Sequence, residues 1–150
     1  MNTFGKLLMS LAIGIYTFIP PLADLATDTH VFHSDWVPHA RMHTVWLLGV
    51  TSSLGLVALG LLWLRARDTE FHINMAALLS VCVYGPFFLS SFTARLYGGE
   101  LTDVVGGVEG HVFGFDINLF VFSMATLTLA LGWGLCRKSG PRCSSLRSCE

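Results

Sequence analysis

The sequence predicts an all-α fold, a four-helix transmembrane bundle with both termini in the cytoplasm. Three observations predict this class. Of the 150 residues, 53% are hydrophobic and only 13% are charged, about half the usual share of charge for a soluble domain. Four apolar stretches approach the roughly 20 residues that a spanning helix needs. Basic residues gather at the termini and in one connection, whereas acids and histidines gather in the other two.

This composition also excludes several classes of protein. The mean hydropathy of +0.61 argues against a soluble enzyme and against a disordered chain. A net charge of −1 provides no basic surface for nucleic acid. We therefore expect the lipid bilayer, and no nucleic acid, as the environment of the chain.

The predicted spans are residues 4–22, 42–64, 73–96 and 112–135. They form one membrane domain over residues 1–135, and residues 136–150 are predicted to be a disordered cytoplasmic tail. Backbone groups in lipid must be bonded within the protein, so helices are expected rather than open strands.

The first span is expected to end at the pair Pro20-Pro21. A cleaved signal peptide is its alternative, because Lys6 precedes the apolar core and small residues follow it at Ala23 and Ala26. The apolar stretch is long for a signal core, which favours a retained helix.

The other three spans differ in their polar content. The second contains no charged residue. Pro86 lies near the middle of the third and is expected to kink it. Asp116 is predicted to lie inside the first turns of the fourth, where an acid at membrane depth is a functional candidate.

The distribution of basic residues predicts the orientation. Seven of the nine lie at the termini or between the second and third spans, namely Lys6, Arg65, Arg67, Arg137, Lys138, Arg142 and Arg147. Both termini should therefore be cytoplasmic, and the first and third connections should face the periplasm, the exterior or an organelle lumen. The membrane would be a bacterial inner membrane or a eukaryotic endomembrane.

Histidines cluster where the second span begins. His30, His33, His39 and His43 lie within fourteen residues. We expect Asp35 to cap this helix, with Pro38 in its first turn. His39 and His43, four residues apart, then share one helix face.

Other polar and aromatic residues surround this cluster. Trp36 and Trp46 extend the histidine stripe, although an aromatic belt at the membrane interface explains them as well. Arg41 is expected to snorkel outward or to pair with an acid. In the other connection, Arg95 ends the third span, and Gly110 and Gly114 have the G-x-x-x-G spacing of close helix packing.

Together these groups predict a His/acid site at the non-cytoplasmic mouth of the bundle that binds or isomerises a lipophilic small molecule by proton transfer. Histidine suits this chemistry because it titrates near neutrality. The candidate catalytic residues are His39, His43, Glu109 and Asp116, and the candidate ligand-binding residues are Trp36, Arg41, Arg95 and His111.

Two alternatives remain open at this point. No cofactor is needed for proton transfer, but a divalent metal could bind to His30, His33, His39 and His43. The protein could instead be a non-enzymatic accessory or assembly subunit, with a homo-oligomer or a membrane partner. Interfacial hydrogen bonds and ion pairs would then explain the same histidines and arginines.

The stretch T-H-V-F-H-S-D-W-V-P-H-A-R-M-H, residues 29–43, resembles a motif of a family of small multi-pass membrane proteins of unknown function. That motif has the form T-H-aromatic-N-P-x-W-P-P-H-A-R/K-x-H and follows a first helix with an aspartate near its end. The matching residues here are Thr29, His30, Phe32, Trp36, Pro38, His39, Ala40, Arg41 and His43, and the aspartate corresponds to Asp24 or Asp28. The resemblance implies a shared polar site but no reaction.

The chain departs from that motif at His33, Ser34, Asp35 and Val37. In architecture and residue type, it is also similar to membrane isomerases and sterol-binding proteins of the emopamil-binding type. That likeness, which has no matched motif, implies a lipophilic ligand by analogy alone.

Overall fold

The computed structural model describes residues 2–28, 30–64, 67–102 and 110–138. Four helices lie within them: α1 Thr3–Ala26, α2 Pro38–Trp63, α3 Thr69–Thr93 and α4 Ile117–Lys138. A 3-10 turn, Ala94–Leu96, follows α3, and the short strands β1 His111–Val112 and β2 Phe115–Asp116 precede α4. All four helices are long and apolar enough to cross a membrane. The predicted all-α, four-helix fold is confirmed.

The helices run alternately up and down. At the start of α1, Lys6 Nζ donates a hydrogen bond to the carbonyl of Leu62 at the end of α2. Near the end of α4, Trp133 Nε1 donates to Asn74 Oδ1 near the start of α3, at 2.8 Å. We call this end the basic end, and the opposite end, which includes residues 27–28, 30–37, 94–102 and 110–116, the histidine end. The side of the membrane that each end faces stays a prediction.

Helix α1 passes through the proline pair instead of ending there. Proline lacks an N–H, so Pro21 leaves the carbonyl of Thr17 without its helical donor. Ser52 of α2 replaces that donor, with its Oγ 2.9 Å from the Thr17 carbonyl oxygen. The expected end near residue 22 is therefore wrong, and α1 continues to Ala26. This extension places Asp24 in the last turn.

Helix α2 begins at Pro38, with Val37 as its N-cap and no side-chain cap bond. Pro38 is in the first turn as expected, where its missing N–H has no helical acceptor to lose. The expectation that Asp35 caps the helix is wrong. Asp35 instead belongs to a tight turn, in which its N–H lies 3.3 Å from His33 Nδ1.

The start of α4 also differs from the predicted span. Residues from His111 to Asp116 form a hairpin, with Phe113 at φ 52° and Gly114 at φ 80°, the left-handed pair that a type I′ turn requires. Gly114 therefore turns a hairpin instead of packing two helices. Asp116 caps α4 and does not lie inside it. At the other end α4 reaches Lys138, and residues 139–150 of the predicted tail lie outside the described residues.

Other glycines form close helix contacts in the bundle, and one such contact joins α1 and α4. A Cβ on Gly132 would lie 2.7 Å from the Gly5 carbonyl oxygen and 2.9 Å from the Met9 nitrogen. Further along, Tyr16 and Tyr84 pack edge to face, with ring centroids 5.4 Å apart. Tyr84 also donates to the carbonyl of Ala12 at 2.6 Å. These buried contacts join α1, α3 and α4 below the histidine end.

Candidate functional site

Residues 30–37 fold over the histidine end as a compact loop. Val31 is only 7% exposed and anchors the loop in the bundle. Arg41, one turn into α2, holds the loop by hydrogen bonds to the loop's backbone carbonyls. Its Nη2 donates to His33 at 2.7 Å, and its Nε donates to Trp36 at 3.0 Å. The predicted ligand-binding residue Arg41 thus has a local structural task, which uses the several donors of a guanidinium.

The loop brings His30 back to the end of α1. His30 Nδ1 lies 2.9 Å from Asp24 Oδ1, and the side chains are 32% and 17% exposed, respectively. Trp36 packs edge-on against the His30 ring, with centroids 5.2 Å apart. Trp36 therefore accompanies His30 instead of extending the stripe of His39 and His43.

Two cavities border Asp24. The first, of about 420 Å³, lies among all four helices, with Tyr16 near its inner end. The second, of about 500 Å³, lies between α1, α3 and α4, and its lining includes Thr27 and His30. Asp24 lines both, together with Pro20, Phe87 and Phe122, and His30 lines the second. The linings are mostly apolar, so the Asp24 carboxylate borders two apolar spaces and the His30 imidazole borders the second.

His39 and His43 pair with each other on the outside of α2. Their Nε2 atoms are 3.0 Å apart, and their rings are nearly perpendicular. This confirms that they share one helix face. Both are exposed, and the described lining of the two cavities includes neither. Their predicted roles as base and acid stay predictions.

The carboxylate of Asp116 accepts hydrogen bonds from three groups of the protein. Its Oδ1 accepts from the backbone N–H groups of Asn118 at 2.8 Å and Leu119 at 3.3 Å, as an N-cap does. Its Oδ2 accepts from Thr102 Oγ1 at 2.8 Å. The hairpin pairs it with His111, which is exposed.

The remaining predicted residues do not join this group. Arg95 is exposed in the 3-10 turn after α3. Glu109 lies outside the described residues, so its predicted catalytic role stays a prediction. Over the described parts of the chain, no three His, Cys, Asp or Glu side chains are grouped as metal ligands. The four histidines of the metal alternative separate into His30 with Asp24, His33 in the loop turn, and the pair His39–His43.

Sequence reasoning gave Asp24 only the role of a motif aspartate, and it gave His30 the roles of a motif residue in a shared polar site and of an alternative metal ligand. One signal for Asp24 was available, because it follows the apolar stretch directly and an acid near membrane depth needs a partner. This signal was missed because α1 was expected to end at Pro20-Pro21, before Asp24. Tyr16 and Phe122 carried no signal, since aromatic residues are common throughout apolar spans.

Comparison with protein-family models, with curated proteins and with solved structures finds no significant match. The resemblance of residues 29–43 to a family motif therefore stays a prediction. By the length and composition of its four helices, the chain is a small multi-pass integral membrane protein.

Proposed function

We propose that this protein binds a lipophilic small molecule at the histidine end of the bundle and isomerises it by proton transfer. The observation that carries the proposal is the Asp24–His30 pair, whose carboxylate borders both apolar cavities and whose imidazole borders the second. Both cavity volumes fall in the range of about 300–1,000 Å³ that is typical of small-molecule sites. A ligand with a polar or reactive centre between two apolar parts would fit this arrangement.

The pair has the composition that proton transfer needs. A carboxylate on Nδ1 orients an imidazole, selects the tautomer with its basic lone pair on Nε2, and stabilises the imidazolium that forms. In the proposed reaction, Nε2 of His30 takes a proton from an activated carbon of the ligand. It then returns a proton at another carbon as the double bond moves. No electrons or protons are lost or gained overall.

The surroundings support this role for His30. Arg41 fixes the loop through its carbonyls, and Trp36 covers one edge of the imidazole. Side chains held in this way lose less freedom when a ligand binds, which favours positioning for catalysis. We propose that the histidine end faces away from the cytoplasm, since four of the six basic residues that the structure describes lie at the other end, namely Lys6, Arg67, Arg137 and Lys138.

Photolabelling tests the binding step. Tag-free protein in lipid nanodiscs is irradiated with hexadecanol that carries a mid-chain diazirine, and the labelled peptides are mapped by mass spectrometry. We expect labels near Pro20, Phe87 and Phe122, and a several-fold loss of them in Phe122→Trp, which fills the cavity. The matched control is Leu131→Trp on α4, a position 65% exposed. Equal labelling in both variants would argue against a ligand in the cavities.

Deuterium exchange tests the reaction. The protein is incubated in D2O with a lipid extract of its host membrane, and deuterated or isomerised products are identified by mass spectrometry. General acid–base catalysis contributes about 10²–10⁴-fold, so Asp24→Asn and His30→Gln should reduce incorporation by that order. The controls are Asp28→Asn and His33→Gln. If the wild type is photolabelled but catalyses no deuterium exchange, the protein binds a ligand without isomerising it, and the proposed isomerase activity is ruled out.

A further inference from the structure

The exposed histidines His39 and His43 on α2 form a feature that is independent of the proposed function. His39 and His43 lie one turn apart at the start of a helix, and their Nε2 atoms are 3.0 Å apart. Adjacent turns of a helix hold both imidazoles on the same face, so the backbone already provides most of the chelate geometry. Histidine pairs four residues apart bind divalent metals in helical zinc sites.

The separation of the two nitrogens indicates which geometry they suit. Two nitrogens 3.0 Å apart, each about 2.0–2.1 Å from a shared metal, subtend an angle of roughly 95° at that metal. This angle is close to the right angle between neighbouring ligands in tetragonal or octahedral complexes. It is smaller than the tetrahedral angle that zinc favours in structural sites. Imidazole nitrogens in such an arrangement suit Ni²⁺ or Cu²⁺.

The surroundings of the pair are compatible with a bound cation. The nearest positive side chain along the helix, Arg41, donates to the carbonyls of His33, Ser34 and Trp36 on the loop. Both histidines are exposed, so the remaining coordination positions are open to an external ligand. On the next turn, Trp46 lies with its ring centroid 5.9 Å from that of His43, which provides a fluorescent reporter beside the pair.

We propose that His39 and His43 form a two-histidine site for a divalent transition metal that accepts neighbouring ligands at a right angle, on the outer surface of α2. The metal displaces the hydrogen bond between the two Nε2 atoms and bonds to both. Each histidine then carries its remaining proton on Nδ1. The site is separate from the Asp24–His30 pair and needs no residue of the two cavities.

The test is a titration of tag-free protein in detergent with NiCl2, followed by calorimetry and by tryptophan fluorescence. Ni²⁺ is chosen because Cu²⁺ would oxidise the cysteines of the chain. We expect one saturable site per chain. Even outer-shell residues of metal sites contribute about 10–100-fold to affinity, so His39→Gln and His43→Gln should each weaken binding at least about tenfold. His33→Gln and His111→Gln, at the same end of the bundle, should bind as the wild type.

Trp46→Phe separates the site from other nickel binding. It should keep the calorimetric signal of the wild type and lose the saturable part of the fluorescence quenching. The proposal is overturned if His39→Gln and His43→Gln bind Ni²⁺ as tightly as the wild type. It is also overturned if only His30→Gln weakens binding, because the metal would then belong to the Asp24–His30 pair. Circular dichroism checks that each surface variant keeps its helix content.

Discussion

Ser52 of α2 donates a hydrogen bond to the main-chain carbonyl of Thr17 in α1, at 2.9 Å. Pro21 leaves this carbonyl without a helical donor, so a side chain of the neighbouring helix completes the backbone bonding of α1. Membrane helices tolerate proline where neighbours supply such bonds. The last turn of α1, with Asp24, therefore depends on α2.

Replacement of Ser52 by alanine should loosen this last turn. A hydrogen bond between membrane helices contributes about 0.6 kcal/mol on average, and up to about 1.7 kcal/mol, so we expect a loss of unfolding free energy in that range. Amides of residues 22–26 should exchange faster with D2O than in the wild type. Ser53→Ala, one residue along and exposed, is the control. Unchanged exchange in Ser52→Ala would show that the proline pair needs no help from α2.

Two glycines of α4 should respond in opposite ways to the same added methyl group. Gly132→Ala places a Cβ against the Gly5 carbonyl and the Met9 backbone, at 2.7 and 2.9 Å, and overpacking of this kind costs about 1–3 kcal/mol. Gly134→Ala meets nothing within 4 Å and gains helix propensity. Thermal unfolding in the same detergent should therefore rank Gly132→Ala below the wild type and Gly134→Ala at or above it. The opposite ranking would contradict the packing of α1 on α4.

Arg41→Lys should release the loop of residues 30–37. An ammonium carries a charge but lacks the planar fork with which Arg41 reaches the carbonyls of His33 and Trp36. We expect faster limited proteolysis within the loop and a changed imidazole NMR signal of His30, with little change in total helix content. Arg95→Lys, exposed at the same end of the bundle, is the control. If the two variants are cleaved at the same rate, Arg41 does not hold the loop.

Asp116 can be tested for capping and for catalysis by two substitutions. Asn serves as an N-cap almost as well as Asp, whereas Ala costs about 0.5–2 kcal/mol. We expect Asp116→Asn to keep wild-type stability and wild-type deuterium exchange into the ligand, and Asp116→Ala to lower the thermal midpoint. A stable Asp116→Asn variant that loses exchange activity would restore the predicted catalytic role of this acid.

The sequence by itself determined the features that depend on local pattern and on solvent. Runs of apolar residues near 20 in length predict spanning helices in any tertiary arrangement, because the bilayer requires internal backbone bonding. The shared face of His39 and His43 is equally local, since it follows from the helical repeat alone. The position of Pro38 in the first turn of α2 is another local feature that the sequence determined.

The tertiary structure decided where the helix ends lie and which polar groups meet. Where α1 passes its prolines, Ser52 of α2 supplies a donor for the Thr17 carbonyl, and Asp116 caps α4 because the preceding residues turn as a hairpin. The Asp24–His30 pair requires both the extended helix and the loop that Arg41 holds. The positions of the groups in these contacts depend on how the helices and the loop pack. A pattern along the sequence contains no information about that packing.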